Sequence, residues 1–96
     1  MSDRILHLDS ISVNGIAPPG ALRGGVLVSD PPKDVPWRLH LATTRVTEWE
    51  EGDHYDLEVV TREGPIARGR ASLEQTDGQA HMFFGIGEIE IVSPDL

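Results

Sequence analysis

The chain has no cysteine among its 96 residues, which excludes a disulfide framework, a Cys-based zinc site and a thiol nucleophile. Positive charge is scarce. Eight Lys and Arg stand against 16 Asp and Glu, a formal charge of −8, and that balance repels phosphate backbones and anionic lipid, so no nucleic-acid partner is expected. Nothing approaches the roughly 18 apolar residues of a membrane-spanning helix, and the first residues, "MSDRILHLDSISVNGI", lack the basic start and apolar run of a secretory signal. The expectation is a cytoplasmic protein with no membrane partner. Aromatics make up only 5% of the chain, so any that reach the surface are its most informative functional candidates.

Sequence signals of catalysis and of cofactors are equally sparse. Ser10, Ser12, Ser29 and Ser72 lack a Gly-x-Ser-x-Gly context, which leaves hydrolase chemistry without support. Gly85-Ile86-Gly87 lacks the third glycine and the following helix that make a phosphate cradle, and no cofactor is expected. Only Thr47 to Glu50, "TEWE", matches a helix-capping pattern. No amphipathic run follows it, so it reads as strand.

What the chain does have is a β pattern. Its length suits a single domain, residues 1–96, with one modest core. The 10 Gly and 7 Pro concentrate in "NGIAPPGALRGG" (Asn14 to Gly25) and "SDPPKDVPW" (Ser29 to Trp37), both of which read as loops. Runs rich in Val, Ile, Leu and Thr with a period of two predict strands over Arg4 to Val13, Gly25 to Ser29, Trp37 to Trp49, His54 to Arg62, Ile66 to Gln75 and Ala80 to Val92. Short turn signals at Glu50 to Asp53, Glu63 to Pro65 and Asp77-Gly78 would join the last four into an antiparallel meander.

Setting Thr76 opposite Gln79 places Leu73 by Met82, Ala71 by Phe84 and Gly69 by Ile86 on one apolar face. A three-residue loop at Glu63 to Pro65 brings Tyr55, Leu57 and Val59 to that face, and a four-residue loop at Glu50 to Asp53 adds Thr44 and Val46. The small Ala67, Gly69 and Ala71 would then leave room for Phe84 and Ile86. Changes of inward parity near Asp9 and Ser10, after Leu41, and around Gly85 and Gly87 imply bulges that curl the sheet. The fold class expected is all-β, a small antiparallel barrel or sandwich of about six strands, with the barrel favoured.

The opposite face yields the functional candidates. Its rows include Thr47, Asp56, Ser72 and Phe83, and Trp49, His54, Glu74 and His81. Trp49 and Phe83, rimmed by His54, His81 and Asp56, would form a mixed patch suited to a protein partner or to self-association. Two imidazoles around a carboxylate, His54, Glu74 and His81, are also a candidate divalent metal site. The two His Cβ atoms would be roughly 10 Å apart with Glu74 between them, which favours a solvated row instead. An acidic surface serves solubility and can also favour a basic partner. The functional expectation is a non-enzymatic protein-interaction or assembly module working through that face or through a strand edge. A small-ligand barrel with Trp37 and the proline loops as lid is the alternative, and a metal-dependent enzyme comes third.

Overall fold

The computed structural model describes residues 4–18, 20, 22–29 and 35–93. Six strands run β1 (Arg4–Val13), β2 (Leu22–Val28), β3 (Trp37–Thr43), β4 (His54–Thr61), β5 (Ile66–Thr76) and β6 (Ala80–Val92). They close into an antiparallel barrel in the order β1-β2-β3-β6-β5-β4. The all-β barrel expected from the alternating pattern is therefore the fold. None of the described residues forms a helix long and apolar enough to cross a membrane.

The topology is two three-stranded meanders, β1-β2-β3 and β4-β5-β6, joined by residues 44–53. Because that connection crosses the barrel end, β3 lies beside β6 instead of β4, and the spatial order β4-β1-β2-β3 is that of a Greek key. The four C-terminal strands do lie side by side, but the hairpin between Trp37–Trp49 and His54–Arg62 is not made. β3 ends at Thr43, so Thr44 and Val46, expected inside, are exposed. Each strand has a neighbour on both sides along at least part of its length, so no strand presents a free edge along its whole length.

Several bends fall where alternation breaks in the sequence. β1 pairs with β2 through Arg4–His7 and with β4 through Leu8–Val13, and a register shift between Leu8 and Ser10 divides the two segments. β6 irregularly pairs Ile86 and Glu90 with Arg70 and Arg68, and Gly87, at φ 78°, stands between them. The glycines of β2 contradict the loop expected there. Extended strands meet closely at Gly24 and Gly25, where a Cβ would lie 1.9 Å from the His40 carbonyl oxygen and 3.0 Å from that of Leu6. Glycine here permits strand contact instead of breaking the strand.

The register of β6 differs from expectation by one residue, and the difference reverses its faces. Gly78, at φ 97°, takes the first central position of the last hairpin turn, and Asp77 N donates to Ala80 O. Asp77 instead caps the turn: its Oδ1 accepts from Gln79 N at 2.9 Å and Ala80 N at 2.7 Å. The loop is thus Gly78-Gln79, the arrangement of a type II′ turn, and Thr76 pairs with His81. Moving a turn by one residue shifts register by two and preserves faces. A bulge between Leu73 and Gln75 then removes one, so Leu73 meets Phe83 and Ser72 meets Phe84. Phe83 is consequently 0% exposed in the core, while Phe84 lies half-buried on the outside with the Arg38 guanidinium 5.0 Å from its ring centroid. Met82 is half-buried and Ile86 exposed, against the expectation that both line the core.

The β4–β5 hairpin keeps its expected faces but not its register. Tyr55 pairs with Ala71, Leu57 with Gly69 and Val59 with Ala67, because Pro65 takes part in the ladder. Proline has no amide to donate, but its carbonyl accepts from Thr61 N at 3.2 Å and Thr61 Oγ1 at 2.6 Å. The loop is accordingly residues 62–64. Outside, Arg68 stands between Glu58 and Glu90, and Arg70 faces Asp56 at 3.9 Å.

Trp37 fills the space the small residues leave. It is 1% exposed, and its indole N–H donates to Gly87 O at 3.2 Å. A Cβ on Gly69 would lie 2.7 Å from its Cζ2, and one on Gly85 only 2.2 Å from its Nε1. The gaps expected to admit Phe84 and Ile86 therefore admit an indole, and Trp37 is core, not a lid. The proline segment that was to complete that lid lies mostly in residues 30–34, outside the described residues.

Candidate binding groove at the barrel end

The opposite end, where β1 finishes and β4 begins, is shaped by two connections. In the first, Asn14 (φ 53°) and Gly15 (φ 82°) form a two-residue turn closed by Val13 N to Ile16 O at 2.9 Å and Ile16 N to Val13 O at 3.1 Å. Asn-Gly favours such type I′ turns because both central residues need positive φ. Asn14 is also held by β4: its N–H donates to Asp56 O at 2.7 Å and its Oδ1 accepts from Asp56 N at 2.8 Å. This turn sends Ile16, Ala17 and Pro18 back across the barrel end.

The second connection, residues 44–53, is anchored by hydrogen bonds. Thr47 N donates to Gly78 O at 2.9 Å, Gln79 Nε2 to Thr44 O at 3.0 Å, Gly52 N to Leu73 O at 2.7 Å, and Glu50 N to the Tyr55 phenol oxygen at 3.1 Å. The turn expected at Glu50 to Asp53 exists, with Gly52 at φ 90° and Asp53 N bonded to Glu50 O. It docks the loop on Leu73 instead of pairing β3 with β4.

Between these connections runs an open groove of about 390 Å³, with Ile16, Ala17 and Pro18 on one wall, Val46, Thr47, Glu48 and Trp49 on the other, and buried Val13 and Tyr55 at its base. Ile16 is 72% and Val46 68% exposed. The Thr47 hydroxyl oxygen is buried without a hydrogen-bond partner among the described residues, a desolvation cost that no contact within them offsets.

Behind the groove lies an aromatic cluster. Trp49, half-buried, has its ring centroid 6.2 Å from Tyr55, 5.8 Å from Phe83 and 4.8 Å from the His81 imidazole, and Tyr55 meets Phe83 edge-on at 6.0 Å. His81 is only 4% exposed. Its Nδ1 lies 2.7 Å from Thr76 Oγ1 and its Nε2 3.4 Å from Thr43 Oγ1. Thr43 directs its one hydroxyl proton to Arg45 O at 2.6 Å, so it receives the Nε2–H. The Thr76 oxygen accepts from Gly78 N at 3.0 Å, leaving its proton for Nδ1. This network assigns a neutral, Nε2-protonated imidazole. Burial holds its pKa below the ordinary value, opposed by the Asp77 charge.

The residues expected to form one outer patch are thus dispersed. Trp49 and Phe83 do touch, but inside the end of the barrel, with Phe83 wholly buried and His81 beneath Trp49. His54 and Asp56 are exposed on β4. The His54, Glu74 and His81 row is not assembled: His81 turns inward, and Glu74, exposed on the β5 bulge, accepts the Ser72 hydroxyl. No cluster of three His, Cys, Asp or Glu suited to a metal occurs among the described residues. Ile16, Pro18 and Val46 were missed as site residues, although the Asn14-Gly15 hairpin signal that returns Ile16 to the barrel end stands in the sequence. Comparison with protein-family models, with curated proteins and with solved structures found no match.

Proposed function

We propose that this barrel is a non-enzymatic binding module that takes an apolar side chain of a partner protein into the groove between residues 16–18 and 46–49. The observation that carries this reading is the placement of two strongly exposed branched side chains, Ile16 and Val46, on opposite walls around a half-buried tryptophan. Exposed apolar side chains gathered in a concave site cost solvation until something covers them, and tryptophan is among the residues most often found at the energetic centre of an interface. The chemistry of the groove suits binding better than catalysis. Its titratable groups are Glu48 and Tyr55, and the Tyr55 oxygen is engaged by the loop amide of Glu50.

Selection of peptides from a random display library on the immobilised protein, followed by amide chemical-shift mapping, tests the reading. Enriched peptides are expected to shift the amides of residues 14–18 and 44–49 and to lose binding to an Ile16→Ser/Val46→Ser variant. Both side chains are exposed, so that variant retains its fold. Peptides that map elsewhere, or bind the variant equally, would remove the groove from consideration.

A further inference from the structure

Building on this reading of the groove, we infer that its occupant is a cationic segment: an extended stretch of a partner chain whose large apolar residue is flanked by Lys or Arg. The loop that forms one wall carries Glu48, Glu50, Glu51 and Asp53 against the single cation Arg45, all exposed. Asp77 stands at the adjoining turn, its carboxylate committed to two backbone amides. Glu51 likewise accepts from Thr76 N. Glu48, Glu50 and Asp53 have no ion-pair partner among the described residues, in contrast to the barrel wall, where Arg68 is shared by Glu58 and Glu90 and Arg70 faces Asp56.

Asp56, Glu58 and Glu90 on the side of the barrel thus each have an arginine within reach, whereas Glu48, Glu50 and Asp53, at its end beside the apolar groove, have none among the described residues. Such a rim attracts a positive flank and speeds its encounter, while the groove supplies the apolar contact. The same rim disfavours a second copy of this chain docked groove to groove, because two uncompensated acidic loops would face each other. Acidic segments and anionic lipid surfaces are repelled for the same reason.

Three synthetic peptides without tryptophan separate the terms: one with a central leucine flanked by lysines, one with the same leucine flanked by glutamates, and one with glycine in place of leucine between the lysines. Binding is read from the shift of Trp49 and of the amides of residues 14–18 and 44–50. The lysine-flanked leucine peptide is expected to bind at least about tenfold more tightly than either control, and to lose about tenfold in affinity between about 0.05 M and about 0.5 M salt. Glu48→Gln/Glu50→Gln should produce a loss of similar size without altering the thermal midpoint. Equal binding of the lysine- and glutamate-flanked leucine peptides would overturn the cationic preference while leaving the groove reading intact. If the leucine and glycine peptides behave alike, or the Ile16→Ser/Val46→Ser variant binds as well as the wild type, the groove reading fails as well.

Discussion

The two tryptophans of this chain sit toward opposite ends of one barrel and have opposite fates. Trp37 is fixed by strands: it belongs to β3, donates to Gly87 O, and lies against two backbones cleared of Cβ atoms at Gly69 and Gly85. Trp49 sits on a connection, half-buried, with one side on His81, Tyr55 and Phe83 and another on an open groove. Where the sheet supplies the walls, an indole becomes filling. Where loops supply them, the same side chain is left partly uncovered.

The sharpest way to break this contrast is to put a Cβ where the first indole lies. Gly85→Ala should destabilise by about 3 kcal/mol in denaturant unfolding, since a close-packed core accommodates an added methyl poorly. Combining it with Trp37→Leu should recover part of that loss relative to the sum of the single changes. A neutral Gly85→Ala would mean that Trp37 is not held there. Trp49→Ala is expected to cost only about 1–2 kcal/mol, as a half-buried ring gives up less apolar contact, yet to abolish peptide binding. A cost as large as that of Trp37→Ala would erase the distinction between the ends.

A subtler difference is in pH response, because the Trp49 end contains a buried imidazole. The folded state holds the pKa of His81 below the ordinary 6.5, so the unfolded chain takes up the proton first as pH falls. His81 therefore favours the fold fully above that ordinary value, and the contribution is lost as pH drops through about 6.5 toward its folded pKa. The unfolding midpoint should decline between about pH 7 and pH 5, and His81→Gln should flatten that part of the curve. Identical curves for the two proteins would mean that His81 has the same pKa in the folded and the unfolded chain. The smallest effect belongs to Asp77, whose carboxyl is held below its ordinary value chiefly by the Ala80 amide and then by that of Gln79. Asp77→Ala should lower stability slightly at neutral pH, and the difference from the wild type should vanish as the wild-type carboxylate is protonated below about pH 4.

Much of the barrel was legible because alternation is a local signal: the strand regions, the inward faces of β1 and β4, and the bulge after Leu8 all follow from residues near one another. The faces of β6 were not, because two features at the last hairpin combine. Asp77-Gly78 resembles a type I′ pair, but the carboxylate of Asp77 is more useful as an acceptor for the turn amides, so glycine moves to the first central position. The bulge at Glu74 has no marker in residue type, and a single unpaired residue was enough to exchange Phe83 with Phe84. With β6 reversed, His81 left the surface and the outer row with His54 and Glu74 dissolved. Gly24 and Gly25 look like a break in sequence and serve as a crossing point in space. The groove is harder still to read, since Ile16 and Val46 meet only through the closure of the whole barrel.

The joining of the two meanders through residues 44–53 has a mechanical consequence. The halves Arg4–Thr43 and His54–Val92 touch along two seams, β1 with β4 and β3 with β6, and the loop that forms one wall of the groove is their tether. The groove takes Ile16 from the first half, Tyr55 from the second and Trp49 from the tether. On the proposed binding role, a guest seated there would brace all three at once and act as a strut across the seam. An excursion that parts the halves would then have to release it, so occupancy and cohesion would rise together.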